Sequence, residues 1–316
     1  LSVHLSTYAI EKGHFCPVCY GTDMICYGHN PQGSQRIQCR NCKKVWTPKK
    51  YQKEITHPQA IETVQLFIPF QGASAVQKLY VLVSLDATRG NILHLSTNYT
   101  QHQTGDSLRY SYKGNTEPTM HHRDIVQKVD MREAQFLRRS QFDEIQYGSA
   151  VLKRNGKGAI LRPVITAHGH FRILKIRYPD VKTHIISHEC FLRGAIITAW
   201  ADQFRQQQGE LWFVEEEISD SNADTPWHFK GTTYHGWWQN QWQRWEQGNN
   251  CKMVCLLTGA SLERGANVSL ATSRCFITWL TDQHDFTQSA LLSAGRVTQM
   301  LTSLALKYNE SLTPSC

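Results

Sequence analysis

No apolar run in the sequence approaches the ~18 residues of a membrane-spanning helix. A bilayer is therefore not an expected partner. Leu1 to Ile10 lacks the basic-then-apolar layout of a secretory leader. Ten cysteines are present, but outside two tight pairs they are scattered and form no disulfide-like framework. A reducing, cytoplasmic setting is the expectation. The chain has no internal repeat and no low-complexity tract, which excludes a solenoid or a largely disordered protein. With 316 residues and 41% hydrophobic composition it can bury one large or two medium cores.

Acid is missing where base is concentrated. Residues 1–53 hold eight bases against two acids, so +6 of the net +8 lies in the first sixth of the chain. Seven of those bases, Arg36, Arg40, Lys43, Lys44, Lys49, Lys50 and Lys53, run without an intervening carboxylate. Phosphate is the natural partner of such a cluster, and DNA the expected ligand of Arg36, Arg40, Lys43, Lys44, Lys49 and Lys50. A solubilising face is the plainer alternative.

The two tight pairs lie in the same stretch. Cys16-Pro17-Val18-Cys19 and Cys39-Arg40-Asn41-Cys42 are separated by 19 residues, with Gly28, Asn30, Pro31 and Gly33 between them. The doubled spacing suits a tetrahedral ion taking two thiolates from each of two turns, so Zn²⁺ on Cys16, Cys19, Cys39 and Cys42 is expected. Residues 1–56 then form a zinc ribbon, with Trp46 covering the metal.

Beyond a stretch at 51–77 that reads as linker, Lys78 to Ala87 is the clearest strand. It is apolar on both faces and ends on Asp86. Ile92 to Ser96 returns from it, and Ser107 to Tyr112 is a candidate third strand. His121 to Arg139 carries a weak helical pattern. Residues 162–218 read as helix, strand, helix, strand, an α/β arrangement with parallel strands. The segment 227–245 holds five of the nine tryptophans. Trp238, Trp242 and Trp245 share one face of an expected helix and are read as core. Exposed, they would be stacking platforms for single-stranded bases. Leu291 to Tyr308 is an amphipathic helix.

The pattern Cys16-Pro17-x-Cys19, Gly28, Asn30, Gly33, Gln35-Arg36, Cys39-x-x-Cys42 and Trp46 resembles the N-terminal zinc finger of bacterial insertion-sequence transposases. The remaining two-thirds is similar to them mainly in the order of its elements. The resemblance implies an RNase H-like mixed sheet flanked by helices over residues 57–316, with a Trp-rich insertion around 219–250. It implies an Asp-Asp-Glu triad holding catalytic Mg²⁺ for DNA strand cleavage and transfer. It also implies more than one subunit in action. On this chain the triad would be Asp86, Glu189 and Glu263. At the second position VKTHIIS runs into His188-Glu189 rather than an Asp. A triad-free relative acting as a DNA-binding regulator is the alternative reading, and a metal hydrolase using His184, His188 and Glu189, with His168 and His170 in reserve, is a third.

Overall fold

A computed structural model describes residues 16, 18, 24–33, 35–47, 57–72, 76–100, 124–146, 159–220, 225–259 and 263–312. It is a mixed α/β structure with one large mixed sheet flanked by helices and a separate three-stranded sheet. The small sheet consists of β1 (Met24–His29), β2 (Gln35–Cys39) and β3 (Val45–Trp46), all antiparallel.

The large sheet opens with β4 (Ala60–Gln71), β5 (Val76–Asp86) and β6 (Ile92–Thr97), an antiparallel meander. A short strand β7 (Tyr99–Thr100) pairs with β8 (Ala159–Ile160). Helix α1 (Ile125–Gln146) lies between them in sequence, and α2 (Pro163–Arg177) follows. Then come β9 (Thr183–Ser187), α3 (Cys190–Ala199), α4 (Ala201–Arg205) and β10 (Glu210–Glu217). Strand β9 runs parallel to both β4 and β10. Three further strands, β11 (His228–His235), β12 (Asn240–Gln247) and β13 (Asn250–Thr258), extend the sheet antiparallel beyond β10. The eight strands lie in the order β11-β12-β13-β10-β9-β4-β5-β6. After the sheet come α5 (Ala271–Thr281), α6 (His284–Thr287) and α7 (Ala294–Leu312).

Two apolar layers sandwich the sheet. One joins Val81, Val83, Leu85, Trp212 and Val254 to Phe276 of α5 and to Val297, Leu301 and Leu304 of α7. The other joins Tyr80, Leu82, Phe213 and Trp242 to Val129 of α1, Phe171 of α2 and Leu192 of α3. Alternate residues of each strand supply the two faces, as a pleat requires. No helix among the described residues is long and apolar enough to cross a membrane.

Two expectations are corrected. The stretch 51–77 is not only linker: β4 occupies its second half and is the first strand of the meander. Its polar side chains are matched inside the fold. Thr63 bonds Ser84 at 2.6 Å, and Gln65 accepts from Ser187. Pro69 is tolerated because β9 pairs β4 only as far as Thr63, so that edge needs no donor at Pro69. The Trp-rich stretch is a hairpin rather than a helix. The turn between β11 and β12 is set by positive φ at Gly236 (77°) and Gln239 (50°), which a helix does not accommodate. Trp242 and Trp245 consequently lie on opposite faces of the sheet, one in each apolar layer. The candidate strand Ser107 to Tyr112 lies outside the described residues.

Candidate metal centre and the core carboxylates

In the small sheet Met24 pairs with Cys39, so the end of β2 lies beside the start of β1. After Cys39 the chain turns tightly: Lys43 N donates to Cys39 O (3.0 Å), and Cys39 N donates to Lys44 O (2.9 Å). Lys43 takes a positive φ of 62° to complete the turn. This turn presents Cys42 beside Cys39. The thiols of Cys16, Cys39 and Cys42 all lie within 4.8 Å of one another, and Cys16 Sγ stands 3.4 Å from Cys42 Sγ. Four thiolates around a tetrahedral ion at ~2.3 Å would stand ~3.8 Å apart, so the donor set fits a zinc-sized soft ion. The backbone N–H of Val18 points at Cys16 Sγ (3.4 Å), an orienting contact for a thiolate. Cys19, Lys49 and Lys50 lie outside the described residues. Arg40, Lys43 and Lys44 are exposed around the turn, and Arg36 packs its guanidinium over Tyr27.

No other group of three or more His, Cys, Asp or Glu side chains among the described residues is arranged to hold a metal. Asp86 ends β5, the second strand of the meander, not the first. It is buried, and its Oδ1 accepts from the N–H groups of Thr88 (2.9 Å) and Arg89 (3.1 Å). It thereby closes the β5–β6 turn. Glu189 is the N-cap of α3, where its Oε2 accepts from Phe191 N (3.0 Å) and faces Tyr80 Oη (3.4 Å). Tyr80 and Asp86 are six residues apart on β5. At ~3.3 Å rise per residue the two positions differ by about 20 Å along the strand. The structure does not bring Asp86 and Glu189 together.

Glu263 opens a 3-10 turn, Glu263–Asn267. That turn is anchored by Lys252 of β13, whose Nζ donates to Ala266 O (2.6 Å) and Val268 O (2.7 Å). Lys252 pairs with Glu216 and Trp245, on the face covered by α5 and α7. Glu189 caps a helix on the opposite face. The run Glu215-Glu216-Glu217 is engaged in ion pairs with Arg132, Arg274 and Lys128 respectively.

His188 is a core histidine. Its Nε2 lies 3.1 Å from Glu133 Oε1 of α1, and the rings of Phe136, Phe213 and Trp242 surround it at 4.6–4.8 Å. Burial lowers its pKa, partly opposed by Glu133. His184 packs against Trp200 (4.3 Å), and burial pushes its pKa down to about 3. The two histidines are four residues apart on one extended segment, about 13 Å, too far to share an ion. His170 bonds Ser84 (2.8 Å) and Ser96 (2.7 Å) in a buried network.

Two buried carboxylates escaped the sequence reading. Glu62 is the only acid on β4. It accepts from Ser273 N and Ser273 Oγ (2.9 Å each) at the start of α5, and burial raises its pKa. A carboxylate in an otherwise apolar alternation is the signal that marks it. Glu133 also accepts from Asn240 Nδ2 (3.3 Å), linking α1 to β12. Only the fold reveals that pairing. Comparison with protein-family models and with curated proteins finds no match to this chain.

Proposed function

We propose that the chain is a zinc-dependent DNA-binding protein on an RNase H-like core, a relative of insertion-sequence transposases that recognises DNA without cutting it. The observation that carries this reading is the convergence of Cys16, Cys39 and Cys42 on a hairpin ringed by exposed cations. Cys19 completes the set by its spacing. Zinc would cross-link the two turns and supply folding energy that so small a sheet lacks. The thiolates and the ion would leave the 1–53 segment at +4, still attractive to phosphate.

An RNase H-like core is supported by the meander β4–β5–β6 followed by β9 and β10, both parallel to the first strand. The regulatory form of the reading is favoured over strand transfer by the carboxylates themselves. Asp86 closes a turn and Glu189 caps a helix, while the first strand carries only Glu62, which also caps a helix. Buried carboxylates satisfied by backbone N–H groups are poor candidates for a shared pair of Mg²⁺ ions.

The test pairs a binding and a cleavage assay on the full chain. Wild type should bind a mixed-sequence duplex with steep salt dependence, and Cys39→Ser should lose both the zinc and the binding. Neither protein should nick supercoiled DNA in Mg²⁺ or Mn²⁺. Metal-dependent nicking abolished by Asp86→Ala would restore the strand-transfer reading.

A further inference from the structure

The hairpin of β11 and β12 forms one edge of the large sheet, and its outer strand and turn carry aromatic side chains out into solvent. Trp237 is 76% exposed, Trp238 52%, Tyr234 60% and Phe229 53%. Register puts Tyr234 opposite Gln241 and Phe229 opposite Trp245, so these two rings share one face of the hairpin. Trp238 serves the other side, where Arg193 of α3 holds its guanidinium 5.1 Å from the ring centroid. Arg193 has no carboxylate partner among the described residues. Gly236, with positive φ and Glu133 packed against it, fixes the turn from which both tryptophans project.

Cations stand beside the exposed rings of this hairpin. Over β11, the turn and β12 the charged residues are Lys230, Arg244 and Glu246, and both cations lean on that one carboxylate. With Arg193 the hairpin and α3 carry two net positive charges, and the acids nearest the turn, Asp130 and Glu133 of α1, are bonded to His235 and Asn240. Exposed rings cost solvation, and the adjoining Trp237 and Trp238 in the turn are the kind of clustered aromatic exposure that commonly marks a binding surface. Rings interleaved with cations match the two halves of an unpaired nucleotide: a flat base that stacks and a phosphate that is neutralised. The sheet edge itself is not built for strand addition. The β11–β12 register shifts between Phe229 and Gly231, and Lys230 stands in that interval, both devices that blunt an edge.

We infer that the β11–β12 hairpin binds single-stranded nucleic acid, stacking unpaired bases on Trp237 and Trp238 with Arg193 beside them. The inference rests on the DNA-binding reading above for its context, but it uses a surface apart from the thiol cluster. Duplex DNA engages the thiol-bearing sheet, and strand segments that are already open engage the hairpin.

The experiment measures anisotropy of labelled oligothymidine, of an abasic strand of equal length, and of a duplex. Wild type, Trp237→Ala/Trp238→Ala, Trp237→Phe/Trp238→Phe and Cys39→Ser are compared, with thermal unfolding as the check on folding. Loss of about one stacked base lowers affinity roughly tenfold. The alanine pair should therefore bind oligothymidine about tenfold more weakly, with duplex affinity unchanged, and the phenylalanine pair should recover most of the loss. Cys39→Ser should lose duplex binding and keep the preference for thymidine over abasic strand. Equal wild-type affinity for thymidine and abasic strands would overturn the inference. So would an alanine pair that binds oligothymidine like wild type, or a ring-dependent self-association or binding to anionic vesicles without any base-dependent affinity.

Discussion

Lys252 offers a direct test of how the sheet is joined to the segment after it. The side chain is fully buried on β13, beneath Trp227, whose ring lies 4.5 Å from Nζ. Its two carbonyl partners, Ala266 and Val268, hold the connection into α5. Burial lowers the ammonium's pKa from 10.5 to about 8. The unfolded chain therefore carries an extra proton between those values, and stability rises with pH through that window. Between pH 7.5 and 9.5 the gain attributable to this one group is about 2 kcal/mol. Lys252→Met removes the titration and keeps most of the packing, at the cost of about 1–3 kcal/mol for two buried carbonyls left without a donor. The assay is urea denaturation of wild type and variant at both pH values, followed by tryptophan fluorescence. The difference between the two proteins should widen in favour of wild type by about 2 kcal/mol at the higher pH. A difference that is flat with pH would show that the ammonium is not held out of water, and the reasoning would fail.

The remaining predictions concern the core and the turns. His184 has no hydrogen-bond partner at Nε2 and a folded pKa of about 3, so its contribution is present above the ordinary value and is lost as pH falls. Relative to His184→Leu, wild type should lose about 1–2 kcal/mol between pH 6.5 and 5 in the same denaturation assay. Asp86→Ala should destabilise the chain by about 1–2 kcal/mol, because two turn N–H groups lose their acceptor. Asp86→Asn should recover most of that, and neither variant should change the response of the melting temperature to Mg²⁺. Gly236→Ala forces a positive φ on alanine and drives its methyl into Glu133. It should cost about 2 kcal/mol or more in thermal unfolding and weaken oligothymidine binding with it.

What was legible in the sequence follows from how locally each signal is generated. Pro163 at a first turn, the recurring Ala167, Phe171 and Leu174, and the short apolar THIIS gave α2 and β9 because one period governs each. β4 was hidden because its polar residues, Glu62, Thr63 and Gln65, find partners on α5, β5 and β9 that are distant in sequence. That concealment displaced the start of the meander by one strand and carried Asp86 with it. In the Trp-rich stretch, a spacing of four and three residues imitated a helical face. Strand alternation then divided the rings: Trp242 is buried, Trp245 joins the opposite layer, and Trp237 and Trp238 stand in the turn. The grouping of Cys16, Cys39 and Cys42 was legible because the doubled Cys-x-x-Cys spacing is itself local in the sequence. The partnership of His188 with Glu133 was not, since 55 residues of chain separate them.

We propose that a thiol-held zinc ion organises the part of the chain that meets DNA. Metal content and duplex affinity, measured together on wild type and Cys39→Ser across a salt titration, test it most directly. One zinc per wild-type chain and a steep fall of log affinity with log salt are expected. Both the zinc and the high-affinity binding should be lost in the variant. A variant that has lost its zinc and still binds duplex DNA like wild type would contradict it.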